Sequence, residues 1–152
     1  MRLKMRHAGI GDLPAVVRML ADDSLGAERE NLSEQLSENY LNAFREIEAD
    51  PNNELIVAEL DGNVVGTLQL TFTPSISFQG GKRSTVESVR VDEKHRGKGL
   101  GREMMIWAIE QAREKGCVSM QLTSHSSRER AHAFYETLGF ARSHVGMKLR
   151  LK

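Results

Sequence analysis

A short glycine-rich loop constrains the possible folds of this chain more than any other feature of its sequence. It follows a β-like run at residues 86–91 and precedes a run with helical spacing at residues 100–115. The loop reads Arg96-Gly97-Lys98-Gly99-Leu100-Gly101. Glycines permit positive φ and close backbone approach, and the first turn of a helix offers free N–H groups at the positive end of its dipole. We therefore predict an anion site that suits a phosphorylated ligand.

The spacing of the loop excludes two common phosphate-binding motifs. A Walker A loop needs Ser or Thr after its lysine, but Lys98 is followed by Gly99. The dinucleotide fingerprint needs a third glycine where this chain has Arg102. The remaining pattern, Arg96-x-x-Gly99-x-Gly101, resembles the acyl-CoA pyrophosphate loop of the GCN5-related N-acetyltransferase (GNAT) family.

A second motif downstream carries the same resemblance. Residues 126–140 resemble the fourth helix of the family and end in Phe134-Tyr135-Glu136-x-x-Gly139-Phe140. A helical run and a strand-like run at residues 117–123 separate the two motifs, which is the order that the family has. The resemblance covers most of residues 54–145.

Length and composition fit a single domain over residues 1–152, and the resemblance implies an α/β fold with a mixed, mostly antiparallel sheet. The expected order is β-α-α-β-β-β-α-β-α-β, splayed between the fourth and fifth strands. Residues 32–48 are predicted to form the second helix, and Asp61-Gly62 is predicted to join residues 54–60 and 63–73 as a two-residue hairpin turn. Residues 145–151 are predicted to close the sheet as its last strand, which would also offer an edge for a homodimer.

The family resemblance further implies a function, the transfer of acetyl from acetyl-CoA to a primary amine in a ternary complex without a metal. Acetyl-CoA would enter the cleft between the splayed strands. The backbone of Val89, Arg90 and Val91 would bind the pantetheine arm, although an ordinary core strand is the alternative. The predicted cofactor-binding set is completed by Arg96, Gly97, Lys98, Gly99, Leu100, Gly101, Arg102, Arg128 and His132. Arg128 replaces an asparagine common in the family.

Two side chains are candidate catalytic groups. Tyr135 stands where the family places the tyrosine that protonates the departing thiolate, and a core tyrosine is the alternative. Strand alternation puts Glu87 on the same face as Val89 and Val91, where it would act as the base directly or through a water. A structural partner for Arg83 or Arg90 is the alternative role of Glu87.

Composition narrows the class of protein. The 21 basic and 21 acidic residues cancel, so the excess of positive charge typical of nucleic-acid binding is missing. The distribution is uneven, because residues 82–102 carry seven basic and three acidic residues, whereas residues 21–50 carry nine acidic and two basic ones. This polarity suits an anionic cofactor beside an amine acceptor, although solvated helix faces give similar runs.

No apolar run is long enough to cross a membrane, and the lone Cys117 excludes an intrachain disulfide, so a cytoplasmic location is expected. The five histidines lack metal-ligand spacing, and no metal is expected. The leading prediction is an acetyltransferase for a small-molecule amine. A non-catalytic acyl-CoA sensor and a protein or peptide N-acetyltransferase are the alternatives.

Overall fold

The computed structural model describes residues 2–33 and 35–152, which form a five-stranded sheet flanked by helices. The strands are β1 (Lys4–His7), β2 (Asn53–Leu60), β3 (Asn63–Thr73), β4 (Arg83–Val91) and β5 (Ser119–Gln121). The helices are α1 (Leu13–Leu20), α2 (Ser24–Arg29), α3 (Glu38–Ala49), α4 (Ser77–Gly80), α5 (Leu100–Glu114) and α6 (Glu129–Thr137). Short 3-10 helices lie at Ile10–Asp12 and Glu93–His95.

The sheet follows the order of the chain, β1-β2-β3-β4-β5. Its first three pairings are antiparallel, and β5 joins β4 in parallel through the crossover that contains α5. This arrangement confirms the predicted mixed, mostly antiparallel α/β class. The predicted hairpin between β2 and β3 is also present, with Asp61 at φ 51° and Gly62 at φ 81°. Positive φ at both positions is what a type I′ turn requires.

The apolar side chains of β2 and β3 alternate between two buried layers. One layer packs against α5 and contains Ile56, Leu68, Leu70, Met104 and Met105, which are all fully buried. Val57 lies opposite Thr67 on the other face, and both are buried outside that cluster. Helix α1 packs against β3 and β4, and α3 packs against β2. The sheet is therefore covered on both faces in its middle, which fixes β4 in place.

Strand β4 has a complete partner on one side only. It pairs with β3 along its length, but β5 pairs only with Arg83, Ser84 and Thr85. Residues 86–91 therefore have a free edge toward β5. This divergence is the predicted splay between the fourth and fifth strands, and it leaves a cleft between β4 and the segment from β5 to α6.

Two predicted elements differ from the structure. The second predicted helix, residues 32–48, begins only at Glu38, where the hydroxyl of Ser37 accepts a hydrogen bond from the Asn39 amide at 3.3 Å. The predicted strand at residues 145–151 is not paired with any described strand, and every residue from 141 to 152 is exposed. Its period-2 pattern predicts a half-buried strand, but no described part of this chain buries the apolar side.

Within the described residues, no helix has both the length and the apolar character needed to span a membrane.

A close approach between β3, β4 and α5 gives the fold a testable weak point at Gly66. A Cβ there would lie 2.6 Å from Met104 Sδ and 3.1 Å from the Arg90 carbonyl oxygen. Because Met104 is fully buried, we expect Gly66→Ala to lower the free energy of unfolding by about 1–3 kcal/mol. Urea denaturation measures this change in the free energy of unfolding.

Gly11→Ala, where a Cβ would meet nothing within 4 Å, is the control and should change stability by less than about 0.5 kcal/mol. Equal effects of the two changes would contradict the packing argument.

Candidate active site

The free edge of β4 is the centre of the candidate site, and a β-bulge shapes it. The register pairs Glu87 with Gln69 and Arg90 with Thr67, so three steps along β4 match two along β3. Ser88, in the bulge, has φ 54°, a conformation that costs a non-glycine residue roughly 1–2 kcal/mol. The bulge bends β4 where it has already left β5, so backbone groups there are directed into the cleft.

The bulge also changes which side chains of β4 share a face. Gln69 and Thr67 point to the same side of β3, so their partners Glu87 and Arg90 share a face as well. The expectation that Glu87 lies on the face of Val89 and Val91 is therefore wrong, because simple alternation ignores the extra residue. Val89 and Val91 pack against the α5-side core instead, while Glu87 is exposed. Glu87 makes no ion pair with Arg83 or Arg90.

The glycine loop adopts the backbone that its sequence predicts. Gly97 has φ 77° and Gly99, the residue that precedes α5, has φ 81°. A Cβ at either position would be strained, although nothing lies within 4 Å of it. Leu100 is buried and anchors the first turn of α5, whereas Lys98 and Arg102 are exposed. The loop therefore presents open backbone and two exposed cations at the start of a 15-residue helix.

Arg96 holds the loop to the rest of the domain. Its Nε donates to the Val91 carbonyl at 3.2 Å, and its Nη2 lies 2.8 Å from Asp22 Oδ2. Asp22 follows α1, so the contact joins the end of β4 to the connection between α1 and α2. In this arrangement the Arg96 guanidinium is already paired and serves to position the loop.

Arg128 makes the equivalent contact from the other wall of the cleft. Its Nη1 lies 2.5 Å from Asp23 Oδ2, and Asp23 also begins α2 by accepting a 2.6 Å hydrogen bond from the Gly26 amide. Burial alone would raise the pKa of Asp23, but the Gly26 N–H and Arg128 outweigh it and lower the pKa below its usual value. Asp23 is therefore ionised at neutral pH, and its negative charge lies between α2 and the start of α6.

Arg90 gives the cleft an unbalanced positive charge. Its Nη1 donates to the Val89 carbonyl at 3.0 Å, and its Nε is buried without a hydrogen-bond partner. Burial lowers the pKa of Arg90, and the nearby charges of Arg128 and Arg29 lower it further, while Asp23 opposes them. Arg29, Arg90 and Arg128 are close enough for the charges of the other two to act on Arg90, and these three residues are called the arginine cluster here. A partly desolvated donor with no partner is a place where an anionic ligand group would be favoured.

Tyr135 lies close to Arg90 and Arg128, two members of the arginine cluster. Its ring packs against the rings of Phe134 and Phe140, with centroid distances of 5.2 Å and 5.9 Å. Burial raises the pKa of the Tyr135 hydroxyl, and the charges of Arg90 and Arg128 offset part of that rise. The phenol is therefore protonated at neutral pH, and the charges of Arg90 and Arg128 would stabilise a phenolate. Helix α6 also reaches the glycine loop, because a Cβ on Gly101 would lie 3.7 Å from Phe134 Cζ.

The His132 side chain contacts the loop that precedes α6. A ring nitrogen, Nε2, lies 2.9 Å from the His125 carbonyl oxygen and braces the loop before α6. No group of three or more His, Cys, Asp or Glu residues within 2–33 and 35–152 is arranged to hold a metal ion.

The structure thus brings most of the predicted residues around one cleft, and it adds two that the sequence did not single out. Asp22 and Asp23 pair with Arg96 and Arg128 on its two sides. Their only signal in the sequence is that they belong to the acidic stretch at residues 21–50. Pairing between residues 74 positions apart cannot be read from such a run.

Comparisons with known proteins agree with this geometry. The model of the acetyltransferase (GNAT) family matches residues 17–140. Glucosamine 6-phosphate N-acetyltransferase from Trypanosoma brucei brucei is 36% identical over 90 residues, which span 59% of this chain and 59% of that enzyme. Aminoalkylphosphonate N-acetyltransferase from Salmonella typhimurium is 26% identical over 93% of this chain and 86% of that enzyme.

The crystal structure of a transcriptional regulator from Bacillus halodurans C-125 superposes on this chain with a TM-score of 0.96, and the two sequences are 47% identical. The superposition covers 99% of this chain and 100% of that one. With its family model, its splayed sheet and its glycine loop in agreement, this chain belongs to the acetyltransferase (GNAT) family.

Proposed function

We propose that this protein transfers the acetyl group of acetyl-CoA to the primary amine of a small molecule. The observation that carries the proposal is the free edge of β4 at residues 86–91, which leads directly into the open glycine loop. An extended amide-containing arm suits the first feature, because it can pair with unpartnered backbone groups. A pyrophosphate suits the second, because two positive-φ glycines and a helix start offer backbone N–H groups to an anion.

The residues present fit acetyl-CoA in a definite order along the cleft. Val89, Arg90 and Val91 would pair with the pantetheine arm through their backbone. Gly97, Gly99, Leu100 and Gly101 would bind the pyrophosphate through the loop amides, while Lys98 and Arg102 add exposed positive charge. Arg96 supports the loop from below through Val91 and Asp22. His132, held by His125, has a positioning role in this scheme rather than direct contact.

The chemistry then needs one base, one acid and one donor to the acetyl oxygen. Bound acetyl-CoA supplies an acyl group activated as a thioester. The Val89 amide donates to the acetyl oxygen, where negative charge develops. The Glu87 carboxylate takes the proton of the amine nitrogen directly or through a water as the C–N bond forms. The Tyr135 hydroxyl donates its proton to sulfur as the C–S bond breaks, and solvent reprotonates the phenolate.

The arginine cluster favours an acceptor that carries its own anionic group. Glu87 and Arg90 share one face of β4, so a base for the amine and an unsatisfied cation lie three residues apart. Arg128 and Arg29 add positive charge that Asp23 alone cannot balance. The two curated relatives carry the names of acetyltransferases for a sugar phosphate and for aminoalkylphosphonates, and both acceptors combine an amine with an acidic phosphorus group. We propose the same class, an amine bearing a phosphate or phosphonate.

We propose that the reaction takes place in the cytoplasm, so the assay uses purified protein in a reducing buffer. It distinguishes a catalyst from a non-catalytic sensor. The assay combines calorimetry with acetyl-CoA and release of CoA thiol on a panel of amino phosphonates, amino sugar phosphates, neutral amines and peptides. Turnover with a small amine supports the proposal. Tight acetyl-CoA binding without release on any acceptor would favour a sensor, and release only on peptides would favour a protein acetyltransferase.

Tyr135→Phe tests the proposed acid. The change keeps the ring that packs with Phe134 and Phe140 but removes the proton, so we expect kcat to fall about 10²-fold. The dissociation constant of acetyl-CoA should stay within about twofold, because the hydroxyl acts only in the transition state. Steady-state kinetics and calorimetry measure the two quantities. Unchanged turnover would assign Tyr135 to packing.

Glu87→Gln tests the proposed base. Without a carboxylate, only amines that are already neutral can attack, so we expect the acidic limb of the kcat/KM profile to move to higher pH. The measurement is the rate on one acceptor across neutral and alkaline pH. Glu110→Gln changes a similarly exposed glutamate on α5, and its profile should match that of the parent protein. An unshifted profile for Glu87→Gln would point to another base.

Arg90→Met tests the proposed acceptor class. Methionine keeps most of the apolar stem but removes the partly buried guanidinium, so KM for an amino phosphonate should rise about 10-fold or more, the loss expected for one charged hydrogen bond. KM for an uncharged amine should hardly change. Arg113→Met on the exposed side of α5 is the control. Equal losses on both amines would contradict a role for Arg90 in recognising the anion.

A further inference from the structure

The segment between α2 and α3, residues 30–37, is loosely packed in the part that the structure describes. Residues 31–33 and 35 are exposed. A cavity of about 340 Å³ lies between this segment and α1, and it is lined by Pro14, Arg18, Leu32, Ser33 and Leu36. The packing of apolar side chains therefore does little to fix the course of the segment.

The hydroxyl of Tyr40, on α3, holds the beginning of the segment. It accepts a hydrogen bond from the Asn31 amide at 2.8 Å and donates one to Glu30 Oε1 at 2.9 Å. Burial raises the pKa of the Tyr40 hydroxyl, so it remains a donor at neutral pH. Among the described residues, Tyr40 is the only side chain from outside the segment that hydrogen-bonds to residues 30–33 or 35–36.

Helix α2 depends on this contact at its C-terminal end. It has six residues, and a helix of that length is not stable by itself in water. Its first turn is fixed by other contacts, because Asp23 accepts a hydrogen bond from the Gly26 amide and a Cβ on Gly26 would overlap the backbone at the end of α1. Its last residue is Arg29, and the two residues that follow are the ones that Tyr40 holds.

Arg29 is the member of the arginine cluster whose position depends most on the backbone that carries it. Its charge acts on Arg90, but among the described residues its guanidinium makes no ion pair of its own. Arg128, in contrast, is fixed by its ion pair with Asp23. A change in the last turn of α2 would therefore move the Arg29 charge and leave Arg128 in place.

We propose that Tyr40 is a positioning residue for the acceptor: by holding Glu30 and Asn31 it keeps Arg29 in the arginine cluster, which binds the phosphorus group of the amine. The inference rests on the proposed function, because it assigns the cluster to the acceptor. Tyr40 itself does not touch the acceptor and takes no part in the chemistry. Loss of its hydroxyl should therefore weaken acceptor binding and leave the acetyl transfer step unchanged.

Tyr40→Phe tests the proposal, because it keeps the ring and removes both hydrogen bonds. Calorimetry with aminoethylphosphonate in the presence of CoA measures acceptor binding without reaction. We expect the dissociation constant of aminoethylphosphonate to rise about 3- to 10-fold, since a charged hydrogen bond is weakened, and that of CoA to stay within about twofold. In turnover assays KM for the same amine should rise by a similar factor, while kcat stays within about twofold. An unchanged dissociation constant, or an equal loss for an uncharged amine, would overturn the proposal.

A double-mutant cycle distinguishes positioning through Arg29 from a general structural role of Tyr40. Arg29→Met should weaken the binding of aminoethylphosphonate, and adding Tyr40→Phe should weaken it no further, because both changes remove the same cation from the cluster. Arg45→Met removes an exposed arginine from the helix that carries Tyr40, and this control should bind as the parent protein does. Additive losses would show that Tyr40 does not act through Arg29 and would overturn the proposal.

Variants of Glu30 keep the test decisive if Tyr40→Phe fails to fold. Glu30→Gln retains an oxygen that can accept the hydrogen bond of Tyr40, so it should bind aminoethylphosphonate as the parent protein does. Glu30→Leu loses that oxygen, and we expect weaker binding. A purely electrostatic effect of Glu30 has the opposite sign, because removal of a negative charge favours an anionic ligand. Stronger or unchanged binding by Glu30→Leu would therefore overturn the proposal.

The binding measurement separates this inference from acetyl transfer. A parent protein that binds aminoethylphosphonate in a manner that depends on Tyr40 and Arg29, but releases no thiol from acetyl-CoA, would contradict the proposed reaction and support the positioning role. A parent protein that does not bind aminoethylphosphonate would overturn the positioning role together with the proposed acceptor class.

Discussion

The divergence of β4 from β5 after Thr85 is the constraint on which the rest of the site depends. A parallel pair that continued to Val91 would satisfy the backbone of β4 and leave no room for a ligand. Because pairing with β5 stops after three residues, residues 86–91 lack a strand partner on that side, where the carbonyls of Val89 and Val91 accept hydrogen bonds from Arg90 and Arg96. The bulge at Ser88 adds to this by turning Glu87 and Arg90 to one face.

Two adjacent carboxylates connect the opposite walls of the resulting cleft. Asp22 pairs with Arg96 beside the glycine loop, and Asp23 pairs with Arg128 before α6. These side chains are partly exposed, so each pair is worth no more than about 1 kcal/mol of stability. Their importance is positional, because they hold the connection between α1 and α2 against Arg96 on one side of the cleft and Arg128 on the other.

Charge in the cleft is arranged in two parts with different partners. The loop cations Lys98 and Arg102 are exposed to solvent at the start of α5. Arg90 is partly desolvated and lacks a partner for Nε, so its unsatisfied donor is a cost until a ligand is bound. One positive site therefore suits the cofactor phosphates, and a second suits an anionic acceptor. A neutral net charge for the whole chain conceals this separation.

The sequence by itself determined the α/β class, the hairpin at Asp61-Gly62 and the glycine loop, because each depends on local backbone requirements. Glycine adopts positive φ without strain, so Gly62, Gly97 and Gly99 allow the turn and the loop to form at these positions. Only the tertiary structure decided three features: the face of Glu87, the ion pairs that Asp22 and Asp23 make with arginines, and the exposure of residues 141–152. The first depends on a register shift against β3, and the second joins residues far apart in the chain. The third follows because residues 145–151 have the pattern of a strand, but a strand needs a partner, and its position is set by the rest of the sheet.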